Sequence, residues 1–152
     1  MKGKLILALI IFCFISLTST VEAGTIYVNT TGWWYSGQSF NPSSTPVQSA
    51  LGNASQGDVI IIVEKAYYNE SLTWTNDSLT LDLNGSTLNG TGSASDGISI
   101  GNKNNILIKN GEILGFAKAI YLYGTTNVTL RNLTITNPSS DGIYFLNMNN
   151  LT

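Results

Sequence analysis

The sequence predicts an all-β chain wound as a solenoid, and three observations point that way. The chain repeats itself: "NILIKNGEILGFAKAIYLYGTT" from Asn105, "NVTLRNLTITNPSSDGIYFLNMN" from Asn127 and "NLT" from Asn150 start 22 and 23 residues apart. Laid in register, apolar positions coincide: Ile106 with Val128 and Leu151, Ile108 with Leu130, Ile113 with Ile135, and Ile120 with Ile143. Polar residues alternate with them, as Thr129 does between Val128 and Leu130, and alternation at period two marks half-buried strands. Strands this short cannot bury an apolar face alone. A chain whose turns stack, with equivalent residues about 4.8 Å apart in parallel register, builds one continuous core from them. An antiparallel sandwich also uses short strands, but it does not require equivalent residues to recur at 22 or 23.

The elements follow in order. Residues 1–23 read as an export signal: Lys2 and Lys4, an apolar run of 13 residues from Leu5 to Leu17, then "VEA" before Gly24, with cleavage expected after Ala23. The run is short for a membrane span, which needs about 20 residues. Cys13 lies inside it without lipoprotein context, so the processed chain is expected to carry neither a disulfide nor a lipid anchor, and no span after signal removal. Residues 24–57 form a strand and capping segment. Here the aromatic group Trp33, Trp34, Tyr35 and Phe40 is expected to cover the first turn, sugar stacking being its other possible use. Ser44 or Thr45 caps a short helix with Pro46 in its first turn, Val47, Ala50 and Leu51 on one face, and Gly52 at its end.

Residues 58–152 hold the repeats. Val59, Ile61 and Val63 are expected to begin the wall. "LTLDL" from Leu79 matches the strand opening at Ile106 only if "GTGSAS", residues 90–95, bulges as a loop. "DGISI" from Asp96, "KAIYL" from Lys118 and "DGIYF" from Asp141 recur at 22 and 23, which sets Tyr121 above Tyr144 on an outer face. The sequence stops at "NNLT" as a new turn opens, an uncapped sheet edge, so the chain is expected to be a truncated product or the front part of a longer protein.

Charge and composition remove several functions. Residues 24–152 carry five basic groups (Lys65, Lys103, Lys109, Lys118, Arg131) against eight acidic ones, a balance that offers no footprint for nucleic acid or for an anionic membrane surface. With no histidine, Ser/His/Asp and Cys/His catalysis are out of reach. Met148 is the one methionine after the signal and no cysteine follows Cys13, so a soft-metal site lacks ligands. No phosphate loop, paired-cysteine spacing or calcium loop is present, and no cofactor is expected.

Carboxylates remain. Asp96, Lys118 and Asp141 fall at equivalent positions and would form a vertical row of alternating charge. Two carboxyls two turns apart, at about 9.6 Å, sit at the upper edge of the separation that glycosidases use. The lysine between them would be expected to favour the charged form of both, where a general acid needs a raised pKa. The plainer reading, which we favour, is that Asp-Gly shapes the turn before a strand.

"STPVQSALGNASQGDVIIIVEKAYYNESLTWTNDSLTL" resembles the opening of right-handed parallel β-helix proteins of the pectin-lyase-like superfamily, in which a short helix leads into a Gly-Asp-strand and a Tyr-Asn-Glu turn. With "TIYVNTTGWWYSGQSFN" it is also similar to the N-terminal region of exported archaeal cell-surface proteins, including surface-layer-related ones. The resemblance implies a right-handed parallel β-helix with a short N-terminal capping helix. It says little of activity, because the superfamily includes lyases, hydrolases, copper-site accessory proteins and non-catalytic surface modules. "NPSSDGI" resembles a polygalacturonase motif, but that family's paired aspartates and Gly-His-Gly are missing.

Asn-x-Ser/Thr triplets occur at Asn29, Asn53, Asn69, Asn76, Asn84, Asn89, Asn127, Asn132 and Asn150, against about four expected by chance from composition. A glycosylated exterior explains the excess. Stacked amide ladders in the turns explain it too, and Asn110 with Asn132 are in register for one. The sequence thus describes a secreted or cell-surface module with a structural and binding role, N-glycosylated, whose partners are cell-envelope polysaccharide or other surface proteins. The alternatives are a carbohydrate-active enzyme, a polysaccharide lyase or hydrolase, on the same fold, and an adhesin reading polysaccharide with Tyr121, Tyr144 and the Trp pair.

Overall fold

The computed structural model describes residues 22–152, so the segment expected to be an export signal, apart from its last two residues, lies outside the described residues. The chain opens with β1 (Thr25–Asn29) and β2 (Gly32–Tyr35), an antiparallel hairpin extended by β3 (Asn41–Pro42). Its turn is held by Asn29 Oδ1, which accepts the N–H groups of Thr31 and Gly32 at 3.0 and 2.9 Å, an Asx turn. Helix α1 (Pro46–Asn53) follows, and then the winding begins.

β4 (Val59–Ile62) runs parallel to β1, and the first circuit continues through β5 (Tyr67–Tyr68) and β6 (Leu72–Thr73). The second circuit is β7 (Thr80–Asp82), β8 (Thr87–Asn89) and β9 (Ile98–Gly101). In the third, β10 (Asn104–Leu114) spans two walls and β11 (Lys118–Tyr123) makes the last; β12 (Thr126–Thr136) and β13 (Asp141–Leu146) repeat that pattern. β14 (Asn149–Leu151) then pairs with β12. All pairings between circuits are parallel.

The core consists of columns, one for each wall. Ile26, Ile60, Leu81, Ile108 and Leu130 lie above one another in register. Tyr68, Leu88, Ile113 and Ile135 form a second column, and Leu72, Ile98, Ile120 and Ile143 a third. The members in the first three circuits are almost wholly removed from water, each worth about 1.5–3 kcal/mol of burial. The alignment of 106 with 128, 108 with 130, 113 with 135 and 120 with 143 is thus the physical stack.

Three expectations need correction. The first concerns the phase of β4: Ile60 and Ile62 are buried, while Val59 and Ile61 are only partly covered and Val63 is 47% exposed. Residues 59–63 are all apolar, so no alternation marks the inner face; pairing of Ile26 with Ile60 decides it. The second concerns the helix cap: Thr45 makes no side-chain cap bond. The carboxylate of Glu70 instead accepts the N–H groups of Val47 and Gln48 at 3.2 and 2.8 Å, a negative charge at the helix N-terminus supplied from 22 and 23 residues away. The helix also runs through Gly52 to Asn53. The third concerns the extra length of the second circuit, which is not all in residues 90–95. The offset to the third circuit falls from 27 (Leu81 to Ile108) to 25 (Leu88 to Ile113) and then to 22 (Ile98 to Ile120), so two of the extra residues sit at the corner 83–86.

Candidate functional site

The outer faces carry whatever this chain can recognise. On the β9–β11–β13 wall the row Asp96, Lys118, Asp141 exists: Lys118 pairs directly with Asp141 in the ladder and Asp96 precedes the strand below. Lys118 Nζ lies 3.4 Å from Asp96 Oδ1, and 5.7 and 5.6 Å from the ring centroids of Tyr121 and Tyr144. The two rings stack at 5.7 Å, tilted by 35°. Asp141 accepts a hydrogen bond from Ser140 Oγ at 2.7 Å, and among the described residues no cation pairs with it. The lysine is thus spent on one aspartate and two aromatic faces. These contacts tie Lys118 of β11 to the circuit below through Asp96 and to the circuit above through Tyr144.

The aromatic group splits between two faces. Trp33 and Tyr35 turn inward against the core, edge to face at 6.1 Å, while Trp34 faces out with Tyr27 and Phe40, each at 5.8 Å. Because β2 alternates, one run of aromatics serves two surfaces. Trp33 and Tyr35 cover the first turn; Trp34 is half-buried beside an exposed Phe40.

An open groove of about 600 Å³ crosses the circuits at the corner where β10 and β12 bend. Lys65, Asn84, Thr87, Asn110, Glu112 and Asn132 line it, with Gly85, Gly111 and Thr134. Sequence reading missed this surface, because its residues come from four circuits and share no motif. The strands bend at Asn110 and Asn132, both at positive φ, and Gly111 lets Leu83 approach where a Cβ would clash with its side chain. Glu112 is oriented by Thr87 and Thr136, whose hydroxyls donate to its two oxygens at 3.1 and 2.7 Å. Asn132 donates to Asn110 Oδ1 at 3.1 Å, and Asn110 in turn to Asp82 at 3.0 Å. Burial alone would raise the Asp82 carboxyl, but hydrogen bonds from Asn110, Lys109 and the Asn84 N–H, with the Lys109 charge 3.1 Å away, bring it below the ordinary aspartate value.

A second ladder joins Asn150 to Asn127 and Asn127 to Asn105, at 3.0 and 3.1 Å. Among the nine Asn-x-Ser/Thr triplets, seven asparagines donate their amide to another part of the fold: Asn53, Asn76, Asn84, Asn89, Asn127, Asn132 and Asn150. Asn29 and Asn69 only accept, from Thr31 and Gly32 and from Asn89 respectively, so within the described residues their Nδ2 groups donate to no protein atom. Among the described residues no cluster of three or more His, Cys, Asp or Glu could hold a metal ion, and no helix is long and apolar enough to cross a membrane.

These stacked parallel walls agree with a comparison against protein families: the family described as right handed beta helix region matches residues 67–152, more than half of the chain. The chain belongs to this right-handed β-helix family. The match begins at β5 and takes in every later circuit, while the N-terminal hairpin and α1 precede it. No curated protein and no solved structure matches the chain. The fold alone does not specify an activity, since unrelated functions share it.

Proposed function

We propose that this right-handed β-helix is an exported module of the cell surface or extracellular space, with a structural and binding role, and that its ligand is an extended, hydroxyl-rich polymer such as envelope polysaccharide. The observation that carries this reading is the groove over four circuits, whose lining is amide, hydroxyl, one cation and one carboxylate. Such a lining offers donors and acceptors at each repeat and is more polar than apolar, which suits a chain of sugar hydroxyls. The leader-like run read over residues 1–23 is what supports export in this reading. N-linked glycans fit best on Asn29 and Asn69, because conjugation there costs no hydrogen bond donated within the fold.

The test is affinity electrophoresis of the secreted protein in gels containing polysaccharide extracted from the producing cells. Wild type is expected to be retarded, and a Lys65→Ala/Thr134→Val double variant to lose most of that retardation. Equal migration with and without polysaccharide contradicts the binding reading. Release of reducing ends during incubation favours the alternative, a polysaccharide-cleaving enzyme. Peptide mapping of the same sample tests the glycans: sugar on Asn69 and Asn29 is expected, and sugar on Asn127 or Asn132 overturns the partition.

A further inference from the structure

Asp58 is a carboxylate at 1% exposure, and its partners are unusual. Its Oδ2 accepts the N–H of Ser55 at 2.7 Å and the Tyr35 hydroxyl at 2.9 Å; its Oδ1 accepts the N–H of Gly24 at 2.6 Å. All three donors are neutral, and among the described residues no Lys or Arg pairs with it. A buried carboxylate without a cation is costly. The Gly24 nitrogen is also the atom that cleavage after Ala23 would free.

We propose that Asp58 is built to receive the amino terminus created by removal of the leader, so that the processed chain is locked by a Gly24 α-ammonium to Asp58 ion pair. This rests on the export reading above. A leader peptidase hydrolyses the Ala23–Gly24 amide: water adds, the C–N bond breaks, Ala23 leaves with a carboxylate and Gly24 keeps the amine. Free α-amines titrate near about 7.7–8.0, so at neutral pH the new group is mostly protonated. The bond from a neutral amide N–H to the Oδ1 carboxylate becomes a bond between opposite charges, an ion pair as well as a hydrogen bond.

The surroundings fit the role. Gly24 is held at its other end by its carbonyl, which accepts the Val59 N–H at 2.9 Å, so the nitrogen is aimed by the β1–β4 pairing. A Cβ on residue 24 would lie 3.1 Å from the Tyr35 ring and 3.2 Å from Asp58 Oδ1, which leaves room for glycine and little else. An open cavity of about 510 Å³ beside Gly24 is lined by Glu22, Tyr35, Gln38, Ser55 and Asp58, giving space for the ammonium's remaining hydrogens and water. Of the titratable groups facing the site, Asp58 and Tyr35 stay, while Glu22 departs with the leader. Burial raises the Tyr35 hydroxyl above its ordinary value, and the adjacent Asp58 adds to this, so it remains a neutral donor across the range that matters. The device joins strand β1 to the turn before β4, and so couples export to closure of the solenoid's first end.

The experiment has two readouts. N-terminal sequencing of the secreted chain is expected to begin at Gly24; another terminus ends the proposal and leaves the Asp58 network as a turn. On protein beginning at Gly24, acylation of the α-amine at pH 8 is compared in the folded state and in urea. The lock predicts folded-state acylation at least tenfold slower, and a Tm advantage of free over N-acetylated protein. With the amine's pKa raised in the fold, that advantage is full below about pH 7.7 and disappears as pH rises through the raised value. Equal acylation rates, or the same Tm for free and acetylated chains at neutral pH, overturn it, whatever the outcome for export. Asp58→Asn is the second variant: it is expected to remove the difference between free and acetylated termini, even though it also lowers the Tm of both.

Discussion

Asparagine carries more of this structure than any motif does. Among the described residues, nine of the ten non-glycine residues with positive φ are Asn, at 84, 102, 105, 110, 127, 132, 137, 147 and 150. Asn is the side chain that visits the left-handed region at least cost, so the excess of Asn in the sequence marks corners and strand kinks. Asn127 adds a second duty: at φ 54° it bridges Asn105 and Asn150. Asn127→Ala should therefore lose two ladder bonds and strain the backbone, about 2–4 kcal/mol in all, whereas Asn127→Gly recovers the backbone part, about 1–2 kcal/mol. Urea midpoints of the two variants check the order; Ala at least as stable as Gly contradicts it. The Asn110–Asn132 ladder was legible because the repeat offset puts those residues in register. The left-handed backbone behind it was not, since composition reports residue type and not φ.

Individual elements were legible where they alternate and illegible where they do not. β10 and β12 alternate, and every pair expected from the repeat is present. β4 is apolar throughout, and only its partner β1 fixes which side faces in. The cap of α1 was illegible for a different reason: Glu70 reaches it from the far side of the first circuit, and burial holds that carboxyl above its ordinary value despite the two N–H bonds. Asp82 moves the other way and gives the sheet a pH signature. Its contribution is present above the unfolded aspartate pKa, about 3.9, and is lost as pH falls through the lower folded value. Asp82→Asn, which removes the ion pair from β7 to Lys109 of β10, should lower stability at neutral pH and flatten the loss below about pH 4. Parallel acid-unfolding curves for the two proteins contradict that role.

At the scale of the whole molecule, the circuits repeat one solution, so recurrence at 22 and 23 residues displayed the winding before any coordinate did. The groove and the Asp58 site were invisible at that scale, because each is assembled from residues of different circuits or from both ends of a strand pair. All proposed binding and locking depends on that register being correct. Lys109 and Arg131 are outward-facing partners across β10 and β12, whereas Leu133 lies opposite Gly111. The most direct measurement is oxidative cross-linking in a Cys13→Ser background, comparing Lys109→Cys/Arg131→Cys with Lys109→Cys/Leu133→Cys. The stacked β-helix predicts rapid intramolecular disulfide formation in the first pair and little in the second; equal yields, or cross-links only between molecules, would contradict it.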